Sequence, residues 1–321
     1  MAVVVGIGRS VAFSSAAELS FLIEGLGQRV DVIQLEVGRL NGVFQSEVIG
    51  GAVLLSITTN RRLLLYGERQ PGVISVSLEV NGQLDHHAAH GQRIDDPFTV
   101  TGMKPDLSEI YCQLSAGSGN LFALVRHAQF DAFARSCGHP RVADCLYEAN
   151  QQRLTPMAFA GLRQAMLNRL ERPDCFAGPH ATEQLFTILL EALMCEQEGS
   201  FVPFKQTSRA HVVKDFVRWS LSDELAPVGL EEVSQRVFSS RRTLIQGCQE
   251  SFAIGPMELL RYIRLHRVNA ALADPSIRQK LGLERVQEVA RHYGFLSRGH
   301  FARAYQDLFE CSPAATLMAS S

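Results

Sequence analysis

The sequence predicts an α+β protein whose first part is a small antiparallel sandwich or barrel and whose last part is all helix. Two observations carry that expectation. Short β-rich runs separated by turn residues fill the stretch from about Arg29 to Arg126. In the C-terminal third, a helix-turn-helix pattern occurs twice in tandem. The expected organisation is a β-rich domain over 1–140, a helical connector over 141–204, and an all-helical domain over 205–321.

The β-rich stretch opens with Val30, Val32, Ile33 and Leu35. It continues through Val43-Phe44, Val48-Ile49, Val53–Ile57, Leu63–Tyr66, Val73–Val80 and Leu121–Val125. Asn41-Gly42, Gly50-Gly51, Gln70-Pro71-Gly72, Asn81-Gly82 and Gly117-Ser118-Gly119 punctuate it with residues suited to tight turns. No helix is expected inside it before His127. Beyond Arg126 the strand signal stops, and helices are expected over 128–137 and 141–148. Thr155 followed by Pro156 reads as an N-cap with proline at N1, opening a helix to about Leu170. Leu185, Ile188, Leu189 and Ala192 share one face of a helix over 181–196. These last two helices either form a dimer contact or pack on the β domain, and residues 198–208 read as a linker.

In the second helix-turn-helix unit, Val286, Val289, Ala290 and Tyr293 make the apolar stripe of a short support helix. Gly294 suits the tight turn, Phe295 is an apolar plug, and Ser297 is an N-cap. The helix that follows places Phe301, Tyr305 and Leu308 on one side and Arg298, His300 and Arg303 elsewhere. Pro313 opens a short terminal helix. The first unit lies about 57 residues earlier. There Leu230, Val233 and Val237 form the support, Phe238-Ser239 the turn, and Ser240 caps Arg241-Arg242-Thr243-Leu244-Ile245-Gln246. Between the units a long helix is expected from Gly255-Pro256 to about Asp274-Pro275, with a loop after it.

The stretches SSRRTL at 239–244, IGPMELLRYIRLHRVNAAL at 254–272 and YGFLSRGHFARAYQDLFECSP at 293–313 resemble the DNA-binding domain of the AraC/XylS family of bacterial transcription regulators. The likeness covers about a third of the chain, from roughly His211 to Leu317. The sub-pattern around Gly255-Pro256, with NRRLLLYGERQPG at 60–72, is similar to the ethanolamine-operon regulator branch. The resemblance implies a seven-helix unit whose two recognition helices enter successive major grooves. It also implies a cupin-like effector domain at the N-terminus. Positions matching Arg242, Ile245 and Gln246 face the groove in such proteins, while Leu244 packs inward. Arg298 and Arg303 match groove-facing positions of the second helix, where Gly299 and Ala302 offer almost no side chain. The expected DNA-binding set is therefore Ser240, Arg241, Arg242, Thr243, Ile245, Gln246, Ser297, Arg298, His300 and Arg303.

Charge agrees with this arrangement. The net charge of −2 divides unevenly, because residues 1–200 carry 15 Lys+Arg against 21 Asp+Glu. Residues 201–321 carry 16 against 12, and within 236–303 the count is 12 to 5. A positive C-terminal part on an acidic body suits phosphate contact through counterion release. Seven cysteines, at 112, 137, 145, 175, 195, 248 and 311, show no metal-type spacing and read as reduced thiols. No apolar run approaches the length of a membrane span. The start, MAVVVGIGRSVAF, has its first positive charge after its apolar stretch, the wrong order for a secretory signal.

Enzyme-like signals are sparse. His86, His87 and His90 cluster beside Asp85, but the two-histidine strand with a later Glu and His that metal cupins use is absent. Gly117-Ser118-Gly119 lacks a third glycine and reads as a turn. There is no Gly-x-Ser-x-Gly elbow, Walker loop or His-Glu-x-x-His. The expectation is a cytoplasmic, nucleoid-associated regulator, an activator, with no cofactor, catalytic residue or bound metal. Its expected partners are promoter DNA, a small-molecule effector (a nitrogen compound by the branch resemblance), RNA polymerase and a second copy of itself. A cupin-type enzyme or metal sensor fused to a DNA-binding tail is the alternative.

Overall fold

A computed structural model describes residues 10–82, 85–173, 178, 180–194, 200–222 and 228–319. Residues 1–9 of the apolar start, Cys175, Cys195, the end of the expected 181–196 helix and the first residues of the 198–208 linker lie outside the described residues. The chain forms two compact units that are not consecutive in sequence. The first holds residues up to 14, 18–32 and 41–205, and the second holds 15–17, 33–40 and 206–321.

The first elements are β1 (Ser10–Phe13), α1 (Ala16–Glu24), β2 (Val30–Gln34), β3 (Gly42–Ile49), β4 (Ala52–Thr59), β5 (Leu63–Glu68) and β6 (Val73–Glu79). Then come β7 (Ala88–Ala89), β8 (Gln92–Arg93), β9 (Thr99–Thr101), β10 (Glu109–Leu114) and β11 (Gly119–Arg126). Helices α2 (His127–Ser136) and α3 (Pro140–Glu148) precede β12 (Ala149–Arg153). After it come α4 (Pro156–Glu171), α5 (Ala181–Leu193) and β13 (Phe201–Pro203). Among the described residues one sheet runs β1-β3-β4-β11-β6-β9-β12-β13 and the other β2-β5-β10-β7-β8.

Strand alternation explains how the layers stack. In β11, Leu121, Ala123 and Val125 join a core with Phe130, Phe159, Leu162 and Leu189 of the helices. The intervening Phe122 and Leu124 face the second sheet across an internal cavity. In β6 the same alternation sends Ile74, Val76 and Leu78 into the helical core, and Ser75 and Ser77 into the cavity. The central strands are thus covered on both sides, which is why their sequences read as nearly continuous apolar runs. The expected helices appear with modest boundary shifts, and Thr155 caps α4 by accepting from the Ala158 amide.

The stretch expected to be a purely helical connector also contains strands. β12 pairs with β9 and β13, extending the large sheet. Its sequence, Ala-Asn-Gln-Gln-Arg, carries no apolar alternation, so the strand is invisible to periodicity. Its buried amides are instead tied down by hydrogen bonds. Gln152 Nε2 donates to the Leu193 carbonyl at 2.9 Å, and Asn150 Oδ1 accepts from the Lys104 amide at 3.3 Å.

A buried ion pair locks α4 to the sheet. Arg169 Nη2 lies 2.7 Å from Glu47 Oε1 and Arg169 Nε lies 3.0 Å from Oε2, a bidentate pairing that excludes water. One residue on, the Leu170 carbonyl accepts from Gln45 Nε2 at 2.7 Å.

The second unit comprises α6 (Ser208–Leu221), α7 (Leu230–Arg236), α8 (Arg241–Phe252), α9 (Pro256–Ala273), α10 (Pro275–Leu281), α11 (Val286–His292), α12 (Arg298–Phe309) and α13 (Pro313–Ala319). That is eight helices among the described residues, against the seven implied by resemblance. A loop was expected after Pro275, where α10 stands. Asp274 ends α9 and at once caps α10 by accepting from the Ser276 amide at 2.8 Å. Pro275 takes N1, and Gly282 stops the helix in the left-handed region. No helix among the described residues is long and apolar enough to cross a membrane.

Because Glu47 and Arg169 are both buried, removing one strands the other's charge. Arg169→Met is expected to destabilise the protein by about 3–5 kcal/mol, and Glu47→Leu with Arg169→Met to recover most of that loss. Urea denaturation of the two variants checks this; equal losses would contradict it.

Candidate nucleic-acid interface

Both recognition helices start in the same way. Ser240 precedes α8, and its hydroxyl accepts from the Thr243 amide at 3.1 Å. Ser297 precedes α12 and accepts from the His300 amide at 3.4 Å. Each cap satisfies a backbone donor that the first helical turn leaves orphaned. The inward faces are apolar apart from the Tyr305 hydroxyl. Leu244, Cys248 and Phe252 are buried in α8, and Phe301, Tyr305 and Leu308 in α12. The support helices contribute Val233 from α7, with Val289 and Ala290 from α11.

The outward faces carry the predicted set. Ser240, Arg241, Arg242, Ile245 and Gln246 are exposed and Thr243 is half-buried, while Ser297, Arg298, His300 and Arg303 are all exposed. Ile245 shows 44% of its surface, a high value for an isoleucine one residue from the buried Leu244. Several of these groups are already held. Arg241 Nε lies 3.2 Å from Glu231 Oε2, and Gln246 Nε2 donates to Glu250 Oε1 at 3.1 Å. With the Gln287 carboxamide turned to put its oxygen toward Arg298, it accepts from Nε and Nη1 at 3.1 Å each. Among the described residues Arg242 and Arg303 have no such partner.

The turns differ between the units. Gly294 adopts φ 87°, and a Cβ there would meet the Arg264 guanidinium at 3.1–3.2 Å, so both conformation and space require glycine. The matching position in the first unit is Phe238, at φ 50° with 97% of its surface exposed. A second close approach lies behind α8, where a Cβ on Gly247 would sit 2.7 Å from Val213 of α6.

Sequence reasoning missed what holds the second recognition helix from behind. Asn269 Nδ2 of α9 donates to the Tyr305 hydroxyl at 2.7 Å, which donates to Thr316 Oγ1 of α13 at 2.9 Å. It also missed residues 33–40, which belong to this unit. The Gly38 amide donates to the Asp307 carbonyl at 3.0 Å, and Gln34 Nε2 to the Leu308 carbonyl at 3.3 Å. These are end-of-helix carbonyls of α12, which have no intrahelical partner. The Gln34 amide donates to His266 Nε2 at 2.8 Å, so that nitrogen carries no proton and the ring is neutral. Burial pushes the His266 pKa down to about 4. Nothing in the β-like run Val30–Leu35 signals that its end serves a helical unit.

The histidine cluster does not converge. His87 Nδ1 lies 3.6 Å from Glu79 Oε2, whereas His90 packs edge-on against Phe204. Among the described residues no three His, Cys, Asp or Glu side chains are placed to share an ion.

Residues 233–319 match the family model described as a helix-turn-helix domain. The match takes in both α8 and α12. The chain is 36% identical over 162 residues to the "Probable thc operon regulatory protein" of Rhodococcus erythropolis, covering 49% of this chain and 47% of that protein. It is 31% identical over 90 residues to the "XylDLEGF operon transcriptional activator 2" of Pseudomonas putida, covering 28% of this chain and 55% of the relative. The chain thus spans about half the length of the curated relatives it matches. A solved structure of a probable AraC family transcriptional regulator from Rhodopseudomonas palustris CGA009 is 26% identical, covers 34% of this chain and 96% of its own, and superposes with a TM-score of 0.30.

Two outcomes follow from this geometry. Gly294→Ala should cost about 1–2 kcal/mol, because a left-handed φ is imposed on an L side chain that also crowds Arg264. Phe238→Gly should be neutral or gain up to about 1 kcal/mol, and matching losses in the two variants would remove positive φ as the constraint.

His266 titrates with the opposite sign to a salt-bridged histidine. Its folded pKa, about 4, lies below the unfolded value, so its contribution is complete above pH 6.5 and is lost as pH falls toward 4. That loss amounts to ~3 kcal/mol. His266→Gln, which keeps an acceptor for the Gln34 amide, should flatten the stability–pH curve over that window, and an unchanged slope would discharge His266 from the role.

Proposed function

We propose that this chain is a sequence-specific transcription regulator of the activating kind. Its C-terminal unit binds promoter DNA, and its N-terminal unit binds a small metabolite. The observation that carries this reading is the paired arrangement of α8 and α12. Each is capped by serine, backed by a buried support, and presents arginine outward. The long helix α9 lies between the two units in sequence. Arg242, free of partners among the described residues, and Ile245 and Gln246 on the same face suit base edges and a thymine methyl. Arg298, braced by Gln287 and followed by Gly299, suits a phosphate. Ser240, Arg241, Thr243, Ser297, His300 and Arg303 complete the proposed contact surface.

At 1.5 Å per residue α9 is roughly 27 Å long, which with the offsets of its neighbours suits two recognition helices about one ~34 Å turn of DNA apart. The two facing antiparallel sheets support a cupin-like reading of the effector unit. Membership of the ethanolamine-operon branch, with a nitrogen compound as effector, rests on the sequence resemblance. So do a homodimer, contact with RNA polymerase and a nucleoid location in the cytoplasm.

The test uses the full chain with promoter DNA from its own locus. Affinity should fall steeply as salt rises. Arg242→Ala should cost about 1–3 kcal/mol and relax preference at one operator position. Arg298→Ala should weaken all sequences alike. Footprints should show two protected major-groove segments centred about 10 base pairs apart. Salt-independent binding would overturn the DNA reading, and identical specificity losses in the two variants would overturn the division of roles.

A further inference from the structure

The internal cavity of the first unit has a volume of about 100 Å³. Both sheets contribute to it. Leu55, Ile57, Leu65, Phe122 and Leu124 make much of its wall apolar. A small polar patch interrupts that wall, where the Ser77 hydroxyl donates to the Thr101 carbonyl at 2.9 Å. Two further polar side chains on the wall are unusual because their needs are not met from within the protein.

The first is Arg69, which is buried. Its Nε donates to the Val73 carbonyl at 2.7 Å, Nη1 to Lys104 at 2.9 Å and Nη2 to Gly102 at 2.8 Å. These acceptors are neutral: they satisfy three of the guanidinium's five N–H groups and none of its charge. Among the described residues no carboxylate lies within ion-pair distance of Arg69, and Asp106 acts on it only from further away. Desolvation brings its pKa down to about 10, so it remains a cation at neutral pH. A buried charge without a counter-charge is unfavourable unless a ligand supplies one. The second side chain is Gln28, also buried, whose Oε1 has no hydrogen-bond partner. Glu109 also lines the cavity, and its Oε1 accepts from the Tyr66 hydroxyl at 3.1 Å. The seat for an anion is therefore on the Arg69 side. Cys112 on the same wall is neutral, burial having raised its thiol to about 12.

Size narrows the ligand further. An apolar protein cavity of ~150 Å³ accommodates benzene, so this smaller one suits a body of about four carbons and cannot enclose a long acyl chain. We propose that the cavity binds a small monocarboxylate with a short apolar body, its carboxylate on Arg69 and a hydrogen-bond-donating group toward Gln28. This rests on the reading of the first unit as the effector-binding part. It departs from the nitrogen-compound expectation for any effector that carries an ammonium group, which would set two cations together.

Calorimetry and thermal unfolding of the full chain, without DNA, test the proposal with pentanoate, 5-hydroxypentanoate, 1-pentanol, pentylamine and dodecanoate. A ligand that binds only the native state must raise its unfolding temperature. Pentanoate should bind, 5-hydroxypentanoate more tightly, and the alcohol, the amine and dodecanoate at least tenfold more weakly. Arg69→Met should abolish the preference for acid over alcohol. Should that variant fail to fold, Ala89→Leu fills the cavity from β7 without touching a charge, and should lower pentanoate affinity at least tenfold. Binding of pentylamine as strong as that of pentanoate would overturn the proposal. So would no acid binding at millimolar concentration, or pentanoate binding unaffected by Ala89→Leu. Salt-dependent promoter binding by the same preparation separates failure of this proposal from failure of the regulator reading.

Discussion

A helix that must be covered on most of its sides cannot be strongly amphipathic, and α9 is such a helix. Leu259, Leu260, Ile263, Leu265, Val268, Ala271 and Leu272 are all buried, and with Tyr262 they spread over most of the circumference. Helices α6, α8, α10, α11, α12 and α13 all pack on it. Each of the two turn motifs is too small to bury a core of its own, and sharing this helix supplies both with one. The cost is that two polar residues, Arg264 and His266, are enclosed as well. Their surroundings are built to fit: the Arg264 guanidinium lies against the bare backbone of Gly294, and His266 meets the amide of Gln34. Positioning of the recognition helices thus comes from the packing of one rigid rod, with hydrogen bonds setting the final register.

The legible parts of this molecule are those whose signals are local. Ser240, Ser297, Thr155 and Pro256 announce helix starts within a few residues, and the outward faces of α8 and α12 follow from where the apolar stripe lies. The partners of those outward residues were not legible. That Gln287 holds Arg298, and Glu231 holds Arg241, depends on neighbouring helices meeting at particular rotations. β12 was missed because its buried side chains are amides, each anchored by a hydrogen bond at one end, with no apolar alternation to mark a strand. α10 was missed because Asp274-Pro275 stops one helix with the same two residues that start the next. The three histidines at 86, 87 and 90 are close in sequence yet do not converge, since His86 and His90 sit in turns of positive φ on either side of the short strand Ala88-Ala89.

In the first unit apolar packing and polar contacts divide the work in the same way. The large sheet is held to its helices mainly by apolar packing, and Glu47 with Arg169 adds a directional lock. A bidentate pair tolerates little rotation, so α4 is fixed in angle as well as in distance. The opposite face of the sheet is less completely filled, and a cavity remains where Ser75 and Ser77 stand in place of larger side chains.

The membership of residues 33–40 in the helical unit has a bearing on how such proteins change over time. A junction placed anywhere between the sheets and the helices cuts the polypeptide once, but the helical unit is drawn from more than one stretch of it. Exchange of C-terminal modules by a single recombination event would therefore bring in an α12 whose end meets a foreign segment, and a His266 position facing an unmatched loop. Lineages carrying this arrangement are expected to keep Gln34, Gly38 and His266 as a linked set, inherited together across more than two hundred intervening residues.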